Sequence, residues 1–301
     1  MLRKKLMTVA TVVVLGLSML LSGCGGTSGA KPTTAEVKTL RVGAIPAEDS
    51  EKVRKTYQAL GSYLEKKTGM KVEIFVATDY TGVVEAMRAG KLDVAQYGPF
   101  SYILAAEKAG AEAFVMGKTK GSTSYNSVII TKPNSSIKTL ADLKGHTFAL
   151  VDPASTSGNL VPRSIFKKNG IDPEKDFKSV TYAGGHDSAV LALKNDKVEA
   201  AATHNLNIDK MKQEGVITDQ DYRVIVQSDP IPNSPWAFSK DLSPELKAKI
   251  KQAFLDVAKE DPSALNTSDG MMESYEPAND SDYNPIREVA KNLNLDVTKL
   301  K

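Results

Sequence analysis

Short apolar runs typical of β-strands alternate with helical patterns along most of this chain. This alternation constrains the fold more than any other feature, because helices that link successive strands favour parallel strands with helices packed on the sheet. The candidate strands are Leu40–Ile45, Lys71–Val76, Val94–Tyr97, Ala113–Gly117, Ser127–Thr131, Thr147–Val151, Ser179–Tyr182, Val198–Ala202 and Tyr222–Gln227. The candidate helices are Glu51–Lys67, Gly82–Ala89, Phe100–Ala109, Leu140–Leu143, Gly158–Asn169, Asp187–Asn195, Leu206–Glu214, Pro244–Lys259 and Asn284–Asn292. This order predicts an α/β fold with largely parallel sheets, and the last two helices follow no further predicted strand.

Two strand–helix–strand units look alike, Leu92–Gly117 and Val198–Gln227. Each is followed by a polar stretch that contains Pro or Gly, at Lys118–Asn126 and at Ser228–Pro235. We interpret these stretches as two crossings between two lobes, so that the chain begins in one lobe, builds the other and returns. A folded part of about 260 residues is more than one small core usually holds, which allows one or two lobes.

The N-terminus has the pattern of an export signal. Arg3, Lys4 and Lys5 precede an apolar run that reaches Leu21 and is too short for a typical membrane span. The run ends in Leu-Ser-Gly followed by Cys24, and this ending resembles the lipobox of bacterial lipoproteins. We therefore expect residues 1–23 to form a signal peptide and Cys24 to carry the lipid; the alternative is an ordinary signal anchor with a chance cysteine.

Cys24 is the only cysteine of the chain. This favours lipid attachment and excludes disulfides, thiol catalysis and cysteine metal sites. The residues after it are mostly Gly, Thr, Ser, Lys and Pro without an apolar pattern, which predicts a flexible tether over residues 24–37.

The formal charge of +3 comes from the export signal, since its three basic residues have no acidic counterpart and the rest of the chain has 36 basic and 36 acidic residues. A neutral chain lacks the basic patch that nucleic acids or anionic membranes attract. We expect no nucleic-acid partner, and we expect lipid rather than charge to hold the protein at a membrane.

Polar side chains follow four of the candidate strands, directly before a helix. In open α/β sheets ligands bind beyond the carboxyl ends of the strands, where helix N-termini offer free N–H groups to anions. The four segments are Thr78–Gly82, Tyr97–Ser101, Asp152–Gly158 and Gly184–Ser188. His204, near the end of another candidate strand, is a candidate to face the ligand cleft at these strand ends.

The segment Ser155-Thr156-Ser157-Gly158 has the sharpest pattern. Three consecutive hydroxyls at a helix start can donate hydrogen bonds, and Gly158 allows a close approach of the backbone, so a tetrahedral oxyanion is the natural ligand. Each piece also has an ordinary interpretation. Ser, Thr and Asp before a helix are common N-caps, Tyr97 can be a core tyrosine and His186 can be a packing residue.

Other chemistries have weaker support. Three scattered histidines and a lipidated cysteine do not form a metal site, so no metal or other cofactor is expected. Ser155 or Ser157 with His186 and Asp187 superficially suggests a hydrolase, but no G-x-S-x-G elbow is present and adjacent His and Asp suit a triad poorly. We therefore expect no enzymatic activity.

At these residues the chain resembles the phosphonate/phosphite family of ABC-transporter substrate-binding proteins, from about Leu40 to about Arg287. The segment Asp152–Pro162, which reads DPASTSGNLVP, is the most specific match. The other matching segments are Asp79–Gly82 with Met87-Arg88, Asp93–Gly98, Ser127–Ile130, Gly185–Asp187 and Asp229–Pro235.

The resemblance implies a type II periplasmic-binding-protein fold, with two α/β lobes joined by two hinge crossings and closing around a ligand. On this basis the first lobe comprises residues 38–126 and 229–301, and the second comprises residues 127–228. Ser155, Thr156 and Ser157 would hold the phosphonyl oxygens. The other ligand-binding positions carried over are Tyr80, Tyr97, Tyr125 and His186.

Aminoalkylphosphonate binders of the family use two acidic residues for the ammonium group, and here Leu206 and Ser234 stand at those positions. An ammonium without these countercharges would be costly to bury. The expected ligand is therefore a small phosphorus oxyanion without an amine, such as phosphite or methylphosphonate. Orthophosphate remains the alternative, with Asp79, Asp152 or Asp187 as the acceptor for its hydroxyl.

The resemblance also implies that the protein is the extracytoplasmic binding component of an ABC importer, a monomer whose partners are the ligand and the permease. A sensor that presents the same ligand to a separate signalling receptor, and a lipid-anchored hydrolase, are the alternative functions.

Overall fold

The computed structural model of the protein describes residues 39–265 and 271–298. The predicted signal peptide (1–23), the lipidation site Cys24 and the predicted tether (24–37) lie outside these residues. Within the two described ranges, no helix is long and apolar enough to cross a membrane.

Thirteen strands and nine α-helices make up the described part of the chain. The strands are Thr39–Ala44 (β1), Lys71–Val76 (β2), Val94–Gln96 (β3), Glu112–Thr119 (β4), Ser124–Tyr125 (β5), Ser127–Thr131 (β6), Thr147–Leu150 (β7), Ser179–Tyr182 (β8), Ala200–His204 (β9), Arg223–Gln227 (β10), Ile231–Pro232 (β11), Pro235–Phe238 (β12) and Met272–Pro277 (β13). The α-helices are Ser50–Thr68 (α1), Tyr80–Arg88 (α2), Pro99–Ala109 (α3), Val161–Lys168 (α4), Pro173–Asp176 (α5), His186–Lys194 (α6), Asn205–Gln213 (α7), Pro244–Glu260 (α8) and Asn284–Asn292 (α9). A π-helical turn, Thr156–Leu160, leads directly into α4.

The strands form two large mixed sheets. The six-stranded sheet has the order β13-β4-β12-β3-β1-β2, and the five-stranded sheet has the order β10-β6-β9-β7-β8. In each sheet the strand next to one edge pairs in parallel with both neighbours: β1 with β2 and β3, and β7 with β8 and β9. Each sheet also contains an antiparallel strand between two others. β12 lies between β3 and β4, and β6 lies between β9 and β10. The two sheets thus repeat one arrangement.

The inserted strands make the prediction of largely parallel sheets wrong. Both β6 and β12 lie directly after one of the predicted crossings, and each enters its sheet between two strands made elsewhere in the chain. Local patterns do not reveal such a return. The crossings themselves pair with each other, since β5 and β11 form a two-stranded antiparallel ribbon in which Tyr125 faces Ile231.

The expectation that no strand precedes the last two helices is also wrong. β12 lies before α8, and β13 lies between α8 and α9. β12 has only four residues, all buried, and begins with a proline, so it lacks an alternating pattern. β13 is an edge strand in which only Tyr275 is buried, which leaves a weak apolar signal.

The segment after β1 is positioned by a well-capped helix. Asp49 accepts a hydrogen bond from the backbone N–H of Lys52 at 3.0 Å, and Gly69 ends α1 in the left-handed conformation. The buried face of α1 packs Tyr57 edge-on against Trp236 of β12, with ring centroids 5.4 Å apart. This packing fixes residues 45–49 at the carboxyl end of β1.

Candidate functional site

A small cavity lies where the carboxyl ends of strands from both large sheets meet the two crossings. The space open to the centre of a water molecule is about 40 Å³, enough for a few atoms. Six of the seven side chains predicted to bind a ligand line it. The lining residues are Ile45, Ala47, Tyr80, Gln96, Gly98, Tyr125, Ser155, Thr156, Ser157, His186, His204, Leu206, Asn233 and Ser234.

The hydroxyl triplet lies at the start of the π-helical turn. Ser155 is its N-cap, and the Ser155 side chain accepts a hydrogen bond from the N–H of Gly158 at 3.1 Å. Thr156 Oγ1 accepts the backbone N–H of Phe100, from α3, at 2.8 Å. Each hydroxyl can also donate its own hydrogen, because accepting an N–H group uses only a lone pair of the oxygen. The N–H groups of Thr156 and Ser157 lie in the first turn and have no acceptor within the helix.

His186 is the first residue of α6 and is buried. Its backbone N–H donates to the carbonyl of Ala47 at 2.8 Å, and its ring Nδ1 lies 3.1 Å from Thr203 Oγ1. Burial lowers the pKa of His186 well below its usual value, and the neighbouring His204 lowers this pKa further. His186 is therefore a neutral imidazole.

His204 also lines the cavity and was not among the seven predicted ligand-binding residues. It ends β9 and caps α7, because its Nδ1 accepts the N–H of Asn207 at 3.1 Å. In the neutral ring the hydrogen then lies on Nε2. The ring stacks edge-on against His186, with centroids 4.4 Å apart. The sequence feature that indicates His204 is its place at the end of a strand and directly before a helix. The same feature marked the four polar segments.

The three predicted tyrosines occupy different environments. Tyr80 is buried in the cavity wall next to Ser155, and its hydroxyl makes no well-formed hydrogen bond within the described chain. Burial, assisted by the nearby Asp152, raises the pKa of Tyr80 well above its usual value. Tyr125 lines the cavity with its ring 5.3 Å from that of His204. Tyr97 is buried but does not line the cavity; its neighbours Gln96 and Gly98 do.

The three aspartates considered as acceptors do not line the cavity either. Each binds a backbone N–H instead: Asp79 that of Gly82 at 2.7 Å, Asp152 that of Ala154 at 2.7 Å and Asp187 that of Asp49 at 3.1 Å. No Asp, Glu, Lys or Arg is among the residues lining this cavity. An anion in this cavity would therefore meet no carboxylate, ammonium or guanidinium group among the lining residues.

Leu206 and Ser234 both line the cavity. They are the two residues predicted to stand where aminoalkylphosphonate binders have acidic side chains. Gln96 and Asn233 are further lining residues that the sequence did not single out. Among the residues that the structure describes, no group of three or more His, Cys, Asp and Glu side chains is arranged to hold a metal ion.

The chain is similar to several known binding proteins over most of its length. The chain is 34% identical to the phosphate-import protein PhnD of Mycolicibacterium smegmatis, over 95% of this chain and 94% of the relative. It is 35% identical to the phosphonates-binding periplasmic protein of Escherichia coli, over 85% of this chain and 75% of the relative. The crystal structure of a binding protein component of an ABC phosphonate transporter from Pseudomonas aeruginosa superposes with a TM-score of 0.79 at 28% identity, over 84% of this chain and 86% of that one.

These similarities confirm the predicted α/β periplasmic-binding-protein fold. Residues 42–283 match the family described as "ABC transporter, phosphonate, periplasmic substrate-binding protein". Proteins of this family bind a transported substrate outside the cytoplasm and are not enzymes. The match spans most of the chain, including the hydroxyl triplet and every other lining residue of the cavity. The chain therefore belongs to the family of periplasmic substrate-binding proteins of phosphonate ABC transporters.

Proposed function

We propose that the cavity binds a small phosphorus oxyanion without an amine, such as phosphite or methylphosphonate, for delivery to an ABC permease. The observation that carries this proposal is the Tyr80 hydroxyl, which is buried in the cavity wall next to Ser155 without a well-formed hydrogen bond in the described chain. A buried hydroxyl normally has a hydrogen-bond partner. An oxyanion between Tyr80 and the triplet Ser155–Ser157 would supply the acceptor.

The absence of charge among the lining residues supports a ligand without an amine. An ammonium group would meet Leu206 and Ser234 instead of carboxylates, and an unpaired buried cation is costly. Orthophosphate is the second candidate, since the relative from M. smegmatis is named for phosphate import. We further propose that Tyr97 does not contact the ligand. Its packing in the core would instead hold its neighbours Gln96 and Gly98 in the cavity wall.

Calorimetric titration of the chain without residues 1–24 tests the proposal. Phosphite and methylphosphonate should bind more tightly than orthophosphate and much more tightly than aminoethylphosphonate. Ser157→Ala should weaken binding of the preferred ligand by about 1.5–3 kcal/mol, the value of one hydrogen bond to a charged group. Ser164→Ala, on α4 away from the cavity, is the matched control and should bind normally. Tighter binding of aminoethylphosphonate than of phosphite would refute the proposal.

We also propose that residues 38–126 with 229–301 and residues 127–228 are two lobes that close on the ligand as one monomer. The ribbon of β5 and β11 supports this division, because it joins the two crossings between the large sheets.

The lipid on Cys24 would keep the binding protein near its permease. Mass spectrometry of the membrane-extracted protein should find a diacylglyceryl group on Cys24, and Cys24→Ser should release an unmodified chain from the membrane.

A further inference from the structure

Asn233 has an unusual role among the lining residues, because its orientation is fixed from outside the cavity. It lies between β11 and β12, and its backbone N–H donates to the carbonyl of Thr123 at 2.8 Å. Its side-chain Nδ2 donates to the carbonyls of Gly117 at 2.7 Å and Ser122 at 3.4 Å. Carbonyl oxygens only accept hydrogen bonds, so the amide cannot be turned round. With Nδ2 bound to these two carbonyls, Oδ1 is the polar side-chain atom that Asn233 has left for the cavity it lines.

The Asn233 oxygen is an acceptor on a wall that otherwise offers mainly donors. The hydroxyl oxygens of Ser155 and Thr156 accept backbone N–H groups, and each hydroxyl can still donate its own hydrogen. The titratable groups facing the cavity are those of His186, His204, Tyr80 and Tyr125, and the Tyr283 hydroxyl donates to the backbone carbonyl of Asn233 at 3.1 Å. Burial keeps Tyr80 protonated and His186 neutral, because it raises the pKa of Tyr80 and lowers that of His186.

A fixed acceptor discriminates between protonation states of the ligand. It attracts a P–OH group and repels a deprotonated oxygen. A cavity without a cation also disfavours a second negative charge, because the cost of removing an ion from water rises steeply with its charge. We propose that Asn233 makes the site selective for the singly ionised form of its ligand, by accepting a hydrogen bond from the ligand's P–OH group. This inference rests on the proposed function, since it concerns the same oxyanion.

Calorimetry across the second ionisation of the ligand provides the test. The affinity for methylphosphonate should be constant below its second pKa and should fall about tenfold per pH unit above it, as linkage of one proton requires. Phosphite loses its second proton at a lower pH, so its decline should begin earlier. Declines that begin at the same pH for both ligands would report a group of the protein and would overturn the inference, as would an affinity that stays constant or rises. Absence of binding at every pH would instead refute the proposed function.

The variant Asn233→Ala tests the residue itself. It should bind methylphosphonate about tenfold more weakly below the second pKa of the ligand, and its decline above that pKa should be shallower. Ser157→Ala is the contrasting variant, since its hydroxyl donates to an ionised oxygen, and it should lower the affinity by the same factor at every pH. A full decline retained in Asn233→Ala would overturn the assignment. Thermal unfolding checks the fold, and Asn233→Leu, of similar volume, replaces the alanine variant if that one does not fold.

Discussion

Substituting Gly158 by alanine is expected to weaken oxyanion binding by roughly a hundredfold or more, equivalent to about 2.7 kcal/mol. A Cβ atom built on Gly158 would lie 2.3 Å from Cγ2 and 2.4 Å from Cβ of the buried Val151, and 2.9 Å from Oγ of Ser155. Val151 cannot give way easily, because its own N–H is bonded to the carbonyl of Gly158 at 3.0 Å. The π-helical turn must shift instead, and the donors of the triplet move with it. Overpacking of this kind costs about 1–3 kcal/mol of stability.

Titration and urea unfolding of the variant measure both effects. Gly61→Ala is the matched control, because a Cβ there would meet its nearest neighbour, Val72, at an ordinary 3.4 Å. Gly61 lies within α1, so alanine should stabilise the helix by up to about 1 kcal/mol and leave binding unchanged. If Gly158→Ala bound its ligand within threefold of the unmodified chain, the close contact with Val151 would not be what positions the triplet.

Replacing Lys210 by methionine is expected to destabilise the protein by about 3–5 kcal/mol. Lys210 Nζ lies 2.7 Å from both carboxylate oxygens of Glu48, and the two side chains are only 8% and 4% exposed. Without Lys210 the Glu48 carboxylate stays buried, and the more exposed Lys52 ammonium lies 3.6 Å from it. Glu48 follows β1 of the six-stranded sheet and Lys210 lies on α7, after β9 of the five-stranded sheet. The loss should therefore also weaken ligand binding.

A second substitution separates charge from packing. The double variant Glu48→Leu with Lys210→Met removes both charges and should recover most of the lost stability, because a buried ion pair can often be replaced by apolar side chains at little cost. Lys175→Met breaks the exposed pair with Asp172 and is the control, for which unchanged urea unfolding is expected. A double variant as unstable as Lys210→Met would show that packing, rather than the uncompensated carboxylate, causes the loss.

The hydroxyl triplet could be predicted from sequence because its signal is local. A strand, three hydroxyl residues, a glycine and a helix follow one another within one stretch, and parallel strands bring such ends together. The acceptor role proposed for Asn233 could not be predicted, because the amide orientation depends on carbonyls of Gly117 and Ser122 more than a hundred residues away. The same holds for the strand directions, since β6 and β12 take their places only when the chain returns.

Local patterns also made three aspartates candidate acceptors for the hydroxyl of orthophosphate, but none of them lines the cavity. Asp79 and Asp152 stand at strand ends next to the site, where a ligand contact and a backbone contact look alike in sequence. In the structure their carboxylates bind nearby N–H groups, Asp79 at the start of α2 and Asp152 at Ala154 and Tyr80. The cavity is left neutral as a result, and this neutrality is the basis for the selectivity proposed for Asn233.

The strand order of the two sheets sets the sequence in which an exported chain can complete them. All five strands of the second sheet lie between Ser127 and Gln227, so this sheet has every partner it needs once that stretch has emerged. The six-stranded sheet must wait, because β3 and β4 have no common neighbour until β12 arrives at Pro235–Phe238. The hydroxyl triplet and His186 thus belong to the half that can be finished first, and Asn233 is added only when the chain comes back.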